Sequence, residues 1–290
     1  SEMHGKTARK MWSHISGKSP IISITNGVHA PTWQAPDIAR AYENEGDLWQ
    51  AHMDQKKELI NYVQEKTGAQ MNPDALLVGF ARRAAAYKRS DLIFRNTSVI
   101  GPVIEEGKLQ LIFSGKAHPD DDLGKSIIKD LVKMDRQYKD RVVFLENYNM
   151  EIARKIVRGC DVWLNNPCRP LEASGTSGMK AALNGVLNLS VLDGWVGEGL
   201  KHRVCGWLLD EHIPEDLQEA DEDERDLHAL YQILLEEVIP TFYNKREKWV
   251  EMMKASIEMA QSKFTSDRML KEYYERMYLK VFREKILATK

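Results

Sequence analysis

Cysteine is scarce in this sequence, and the cysteines present are poorly placed for cross-linking or metal binding. Three occur in 290 residues, at Cys160, Cys168 and Cys205, and no two of them form a CxxC pair. This odd, scattered set argues against a disulfide framework and a zinc site, and we expect no metal centre. The cysteine usage predicts a reducing cytoplasm as the compartment.

Long apolar runs, a strong net charge and the common phosphate-binding signatures are also missing. No stretch approaches the roughly 20 apolar residues that span a bilayer, and the opening SEMHGKTARKMW contains no signal-peptide core. The formal net charge of −2 provides no general attraction to nucleic acid or to an anionic membrane. Neither GxxxxGK[ST] nor GxGxxG occurs, so other residues must build any anion site.

Short apolar runs alternate with amphipathic stretches, which is the pattern of parallel strands joined by helices. Strands are predicted at ISIT (22–25), LLVGF (76–80), LQLIF (109–113), RVVFL (141–145), DVWLN (161–165) and LNLSVL (187–192). Helices are predicted over 48–66, from 89–95 onward, over 122–136, over 149–158 and near 176–183. The predicted fold class is α/β, a Rossmann-like, doubly wound, mostly parallel sheet with a helical C-terminal segment.

The C-terminal pattern is wholly helical from about residue 229. Pro240 is expected to break one helix, and another should run from about 246 through FTSDRMLKEYYERMYLKVF. The acidic stretch 215–226 is interpreted as an exposed loop or a solvated helix face, without a function.

Polar residues, aromatic residues and glycines follow the predicted strands, whose carboxyl ends meet at one edge of a parallel sheet. Six cations fall in these segments: Arg82, Arg83, Lys88, Arg89, Lys116 and Lys180. In a slightly acidic chain such a cluster predicts an anion site, above all for phosphate, although such loops are often charged because they are solvated. The glycines of SGTSG would let backbone amides approach the anion closely.

Lys180 ends the segment EASGTSGMK (172–180). If a helix begins at Thr176, Lys180 lies one turn later on the same face, toward the predicted anion site. A lysine that is partly desolvated and near other cations has a lowered pKa, and its unprotonated amine can form a Schiff base with an aldehyde cofactor. From this geometry alone, a solvated lysine at a helix start is the simpler interpretation.

Six strings resemble, in order and spacing, the catalytic domain of the glycogen, starch and maltodextrin phosphorylases. They are ITNGVHAPTW, GFARRAAAYKR, GKAHP, VVFLENYNM, DVWLNNPCRPLEASGTSGMKAALNG and LNLSVLDGW. The resemblance covers nearly the whole chain and implies the C-terminal domain of that family, which is one half of a GT-B glycosyltransferase architecture. It also implies pyridoxal 5'-phosphate as the cofactor, held by Lys180, the lysine of the family's GTxxMK motif.

The resemblance implies roles for further residues. The cofactor would be bound by Lys180, Thr176, Ser177, Lys88, Arg82, Trp33 and Tyr148, the last two near its ring. Arg83 and Lys88 would join Lys180 as catalytic residues by holding the substrate phosphate. The glucosyl unit would be bound by Asn26, His4, Tyr87, Glu172, Ser174 and Gly175. Without the resemblance, Trp33 and Tyr148 would be interpreted as ordinary core aromatics. Arg82 stands where some family members have lysine, which would change the geometry of a phosphate contact.

The implied reaction is phosphorolysis of terminal α-1,4-glucosidic bonds of glycogen, starch or maltodextrin, which releases glucose 1-phosphate. In that family the cofactor's phosphate exchanges protons with the substrate phosphate, so cations must lie near both anions. No pair of catalytic carboxylates is required, and Glu172 would be a hydroxyl ligand. The implied partners are inorganic phosphate, an α-1,4-glucan and the family's N-terminal domain. The charge balance predicts no nucleic-acid or membrane partner, and spare apolar positions of the last helix predict association with another copy of the chain.

We expect one domain over 1–290, with a lead-in over 1–26, an α/β core over 27–228 and a helical part over 229–290. From the resemblance we expect this sequence to lack the family's N-terminal domain, which forms the opposite wall of the cleft, and the isolated chain to be inactive or nearly so. Two alternatives stay open. One is a nucleotide-sugar glycosyltransferase of the glycogen-synthase type, which carries no such lysine, and the other is a non-catalytic carbohydrate-binding fragment.

Overall fold

A computed structural model describes residues 1–210 and 219–279, with side chains of the second segment described from residue 222. Its strands are β1 (Leu76–Ala81), β2 (Leu109–Ser114), β3 (Val142–Leu145), β4 (Val162–Asn165), β5 (Leu187–Ser190) and β6 (Gly206–Leu208). They form one parallel sheet in the order β3-β2-β1-β4-β5-β6. This order is that of a Rossmann-like doubly wound sheet, and the predicted fold class is confirmed.

Helices cover both faces of the sheet. They are α1 (Glu2–Met11), α2 (Ala30–Trp33), α3 (Pro36–Glu43), α4 (Leu48–Thr67), α5 (Thr97–Glu105), α6 (Asp122–Gln137), α7 (Met150–Gly159), α8 (Ser177–Ala182), α9 (Val196–Gly199), α10 (Glu219–Ile233), α11 (Ile239–Asn244), α12 (Arg246–Lys263) and α13 (Ser266–Tyr273). Across the described ranges, none of these helices combines the length and the apolar character needed to cross a membrane.

Side chains of β1 alternate between two hydrophobic cores. Leu76, Val78 and Phe80 belong to the core on one face of the sheet, and Leu77 and Ala81 belong to the core on the other. Because every β1 residue is buried, the strand reads in the sequence as a continuous apolar run.

The segment 22–25 is not a strand, so that prediction was wrong. Its backbone is tied to α13 instead, since the Arg268 guanidinium donates to the carbonyl oxygens of Thr25 and Asn26 at 2.8 and 3.0 Å. The edge strand β6, which pairs with β5, was not predicted. It is only three residues long and carries little periodic signal.

Three helix predictions also need correction. Residues 89–95 form a 3₁₀ turn at Leu92–Phe94, and α5 begins only at Thr97. Pro240 does not end the helix before it. A π-helical turn over Leu234–Val238 precedes α11 and accommodates a residue that lacks an N–H. The predicted last helix is interrupted after Lys263, where Thr265 caps α13, and its part beyond residue 279 lies outside the described residues.

The acidic stretch 215–226 is only partly described, because residues 215–218 lie outside the described ranges. Its last residue, Asp226, is completely buried and pairs with Arg89 and Arg169. At Asp226 the interpretation as a solvated surface was therefore wrong, whereas Glu224 of the same stretch is exposed. Basic side chains of the loops after β1 and β4 neutralise the charge of Asp226.

Candidate cofactor and phosphate site

The candidate site lies at the carboxyl ends of β1, β4 and β5, which are neighbours in the sheet. The strand order reverses between β1 and β4, and ligands of open parallel sheets bind in the crevice at such a point. The loop after β1, residues 82–91, is called the β1 loop here. The loop after β4, residues 166–176, is called the β4 loop and leads into α8.

Lys180 lies on α8 and is half-buried rather than solvated. Its Nζ sits 3.7 Å from the centre of the Trp33 ring, within the range of a cation–π contact. Burial lowers the pKa of Lys180 below its ordinary value. The sequence had suggested burial and neighbouring cations together as the cause. A lysine with a lowered pKa has a larger share of unprotonated, nucleophilic amine.

Local packing places α8 at the crevice. Thr176 is the N-cap residue, and the Lys180 N–H donates to the Thr176 carbonyl at 3.2 Å, so the predicted one-turn separation is present. Gly178 makes the closest approach, since a Cβ there would lie 2.5 Å from Asn188 Oδ1 and 2.9 Å from the Trp195 ring. The helix can reach this position only because residue 178 has no side chain.

Two of the predicted phosphate ligands converge on one carboxylate. Arg82 Nη2 donates to Glu172 Oε2 at 2.5 Å, and Lys88 Nζ donates to the same oxygen. Arg82 Nη1 donates to Asn165 Oδ1 at 2.5 Å. Burial opposes ionisation of Glu172, but the Arg82 charge and the Lys88 hydrogen bond outweigh it, so the pKa of Glu172 is lowered. The arrangement is an anion site in which a carboxylate is bound by two cations.

The β4 loop is held against the segment that follows β5 through Asp193. Asp193 Oδ2 accepts the Glu172 N–H at 2.9 Å, and its Oδ1 accepts the Gly194 N–H at 2.8 Å. Burial raises the pKa of Asp193 from 3.8 to about 6. Gly175 in the same loop has a φ of +72°, a conformation that other residues rarely adopt.

The lead-in segment reaches the same loop. Asn26 Nδ2 donates to Ser174 Oγ at 3.0 Å, and Ser1 Oγ donates to the Ala173 carbonyl at 2.5 Å. Two predicted hydroxyl-binding residues, Asn26 and Ser174, are therefore in direct contact. His4 lies on α1, and its side chain is exposed.

The remaining predicted residues lie in different surroundings. Tyr148 is half-buried and donates to the Ala81 carbonyl at 3.4 Å, and the Tyr87 ring lies 4.3 Å from Lys88 Nζ. Ser177 is half-buried at the start of α8, and Arg83 and Lys116 are exposed. Arg89 departs from the predicted cation cluster, because its guanidinium is buried against Asp223 and Asp226 and its charge is neutralised there.

Sequence reasoning left Asp193 out of the predicted site and missed Asn165 and Asp226. Asp193 and Asn165 lie at or just beyond the carboxyl ends of their strands, which is a usable signal, since strand ends at this edge point into the crevice. Asp226 carries no comparable signal, because it is one acid among many on a charged helix.

A parallel sheet of this order, with cations at its switch point, defines a Rossmann-like domain. The chain belongs to the carbohydrate phosphorylase family, whose model matches residues 37–198, more than half of its length. The family resemblance of the sequence is thereby confirmed.

The chain is similar along its length to phosphorylases of archaea and bacteria. It is 38% identical over 334 residues to the maltodextrin phosphorylase of Thermococcus litoralis, in an alignment that covers 100% of this chain and 40% of the relative. It is 37% identical over 335 residues to the glycogen phosphorylase of Aquifex aeolicus, covering 98% of this chain and 48% of the relative. It is 38% identical over 332 residues to the glycogen phosphorylase of Mycobacterium tuberculosis, covering 96% of this chain and 38% of the relative. The chain thus spans less than half the length of these relatives.

Proposed function

We propose that this chain is the cofactor-binding part of an α-glucan phosphorylase and that Lys180 covalently holds pyridoxal 5'-phosphate. One observation carries the proposal: Lys180 is half-buried against Trp33, and its pKa is lowered by burial. Such a lysine suits an aldehyde cofactor. Membership of the carbohydrate phosphorylase family supports the same assignment.

The residues of the site fit the chemistry of this cofactor. Its phosphate would be bound by Thr176 and Ser177 at the start of α8 and by the cations Arg82 and Lys88. Trp33 and Tyr148 would lie near its ring. When bound, the cofactor supplies a phosphate group that can give and take a proton beside the substrate phosphate.

Inorganic phosphate would be held by Arg83 and Lys88. Arg83 is exposed on the β1 loop. Two phosphates repel each other unless cations neutralise them, and the cations of the β1 loop would do this while the cleft excludes water. The expected outcome is phosphorolysis of a terminal α-1,4-glucosidic bond, with release of glucose 1-phosphate.

The glucosyl unit would contact Glu172, Ser174, Gly175 and Asn26, which the β4 loop and the lead-in segment bring side by side. Tyr87 and His4 complete the proposed set. Glu172 acts here as an acceptor for sugar hydroxyls. Its lowered pKa keeps it ionised near neutral pH, which suits an acceptor and not a proton donor.

The chain covers 40% of the maltodextrin phosphorylase to which it is similar. We therefore propose that sequence corresponding to the rest of that relative supplies the opposite wall of the cleft, and that the chain alone turns over glucan slowly or not at all. A location in a reducing cytoplasm and association between copies of the chain stay predictions.

The experiment is cofactor loading of the chain as it is. We expect pyridoxal 5'-phosphate to produce an absorbance band in the near ultraviolet, and borohydride reduction to attach it to the peptide that contains Lys180. Lys180→Ala should lose both signals. Lys116→Ala, which removes an exposed lysine from the same sheet edge, should keep them. Labelling that survives in Lys180→Ala would overturn the assignment, and UDP-glucose binding without any cofactor band would favour a nucleotide-sugar glycosyltransferase.

A further inference from the structure

A single buried carboxylate on α10 joins the two loops that carry the candidate site. Asp226 is completely buried. Its Oδ2 accepts a hydrogen bond from Arg89 Nη2 at 2.5 Å, and its Oδ1 accepts one from Arg169 Nη2 at 2.5 Å. Arg89 belongs to the β1 loop and Arg169 to the β4 loop, so Asp226 bridges both sides of the crevice.

Arg89 also joins the two loops directly. Arg89 Nε donates to the Asn166 carbonyl at 2.9 Å, while Asn166 Nδ2 donates back to the Arg89 carbonyl at 2.9 Å. The Cys168 N–H donates to the Tyr87 carbonyl at 2.7 Å. Arg89 itself has a φ of +48°, and this left-handed turn sends its side chain toward α10.

Opposite charges meet throughout this cluster. Arg89, Arg95 and Arg169 face three acids of α10, namely Glu222, Asp223 and Asp226. Removing ions from water is expensive, and a buried pair adds little stability over well-packed apolar side chains. What such a network does supply is a defined geometry for the segments that it joins.

The segments in question are those that present the anion site. Lys88 is the neighbour of Arg89 in the sequence, and Glu172 follows Arg169 by three positions. We propose that Asp226 is a positioning residue, which clamps the β1 loop to the β4 loop so that Lys88 is held at phosphate-binding geometry beside Glu172. The assignment of Lys88 to phosphate rests on the proposed function, whereas the clamp itself rests on the contacts of Asp226.

The first test measures the clamp without any ligand. Asp226→Asn keeps the shape of the side chain and removes its charge. In the full 290-residue chain we expect amide hydrogen exchange to quicken about tenfold in peptides of the β1 and β4 loops and to stay unchanged in β2 and β3. The control is Tyr231→Phe, which loosens α10 elsewhere by removing hydrogen bonds to the Ile93 and Asn96 carbonyls. Equal acceleration in both variants would overturn the clamp.

The second test uses two ligands that differ only in the phosphate. We expect Asp226→Asn to bind pyridoxal 5'-phosphate about tenfold more weakly, the worth of one charge-assisted hydrogen bond, and to bind pyridoxal as wild type does. A loss of equal size for both ligands would contradict positioning and indicate general damage. If wild type takes up no pyridoxal 5'-phosphate, the proposed function fails, while the exchange measurement still decides the clamp.

Arg169→Gln is the second variant in case Asp226→Asn does not fold. It removes the ion pair between Asp226 and the β4 loop and leaves the pair between Asp226 and Arg89 in place. We expect faster exchange in the β4 loop and a smaller, phosphate-specific loss of binding. An Arg169→Gln chain that matches wild type in both measurements would overturn the proposal.

Discussion

Lys180 Nζ lies 3.7 Å from the centre of the Trp33 ring, so the candidate cofactor lysine rests on an aromatic face. The position of the ring is itself held by Arg158, whose guanidinium donates to the carbonyl oxygens of Thr32, Trp33 and Gln34. The contact has two opposite effects on the amine. The ring shields it from water, which favours the neutral form, and its π-electrons attract the ammonium form.

Two substitutions at Trp33 separate these effects. Trp33→Leu keeps an apolar cover and removes the π-attraction, worth about 0.5 kcal/mol at a partly exposed site, so the pKa of Lys180 should fall further. Trp33→Ala opens the amine to water, so the pKa should rise toward its ordinary value. The measurement is the pH dependence of pyridoxal 5'-phosphate uptake. A midpoint that moves the same way in both variants would contradict this account of the contact.

Glu172→Gln should alter phosphate and sugar binding in opposite directions. Arg82 and Lys88 share the Glu172 carboxylate, and removing its charge leaves both cations available to another anion. We expect inorganic phosphate to bind about tenfold more tightly, judged from one charge-assisted hydrogen bond, and maltodextrin to bind more weakly. Titration calorimetry measures both affinities. Glu146→Gln is the control, since it removes an exposed charge from the same sheet edge, and equal effects of the two variants would refute the competition.

Gly178→Ala should both destabilise the chain and misplace Lys180. The new methyl group would meet Asn188 Oδ1 and the Trp195 ring, and such overpacking costs about 1–3 kcal/mol in the free energy of unfolding. Urea denaturation measures the cost, and uptake of pyridoxal 5'-phosphate should fall with it. Gly197→Ala is the matched control, because a Cβ there meets only Leu192 at 3.7 Å. The idea fails if both variants unfold at the same urea concentration.

Asp193 should make stability decline as pH rises. Its pKa is raised from 3.8 to about 6, so between pH 4 and 6 the folded state binds more protons than the unfolded state. The free energy of unfolding should therefore drop across this window by up to about 3 kcal/mol from this group. Asp193→Asn cannot titrate, so the difference in stability between wild type and variant should change over pH 4–6. A difference that is independent of pH would rule the effect out.

A buried triad of Asp161, His52 and Lys56 lies at the amino end of β4. Its effect should be opposite to that of Asp193, so that stability rises with pH. Asp161 accepts hydrogen bonds from His52 Nε2 at 2.7 Å and from Lys56 Nζ at 2.6 Å, and all three side chains are buried. Burial opposes ionisation of Asp161, but Lys56 and His52 outweigh it and lower its pKa. The stabilisation is thus present above about pH 4 and is lost as pH falls through the folded-state pKa.

Asp161→Asn strands the Lys56 ammonium in the core, and we expect it to cost about 3–5 kcal/mol in the free energy of unfolding at pH 7. The control is Asp130→Asn, which breaks an exposed pair with Lys133 and should cost less than about 1 kcal/mol. Urea denaturation at pH 7 compares the two. Similar costs would mean that the triad contributes no more than a surface ion pair.

The sequence by itself determined the sheet strands from 76 to 190, the family and the helix that carries Lys180. These features depend on local signals: buried strands are continuous apolar runs, and EASGTSGMK is a short contiguous motif whose glycines serve the turn and the close approach of α8. Such information lies within a few residues and needs no knowledge of distant contacts.

Only the tertiary structure decided which charges face the crevice and which are neutralised. Arg82 and Arg89 look alike in the sequence, yet one meets Glu172 and the other is buried against Asp226, 137 positions away. Thr25 and Asn26 likewise contact Arg268 rather than a strand, 243 and 242 positions away. The partner of a charged or polar group is selected by packing between distant segments, and that selection leaves no periodic trace in the sequence.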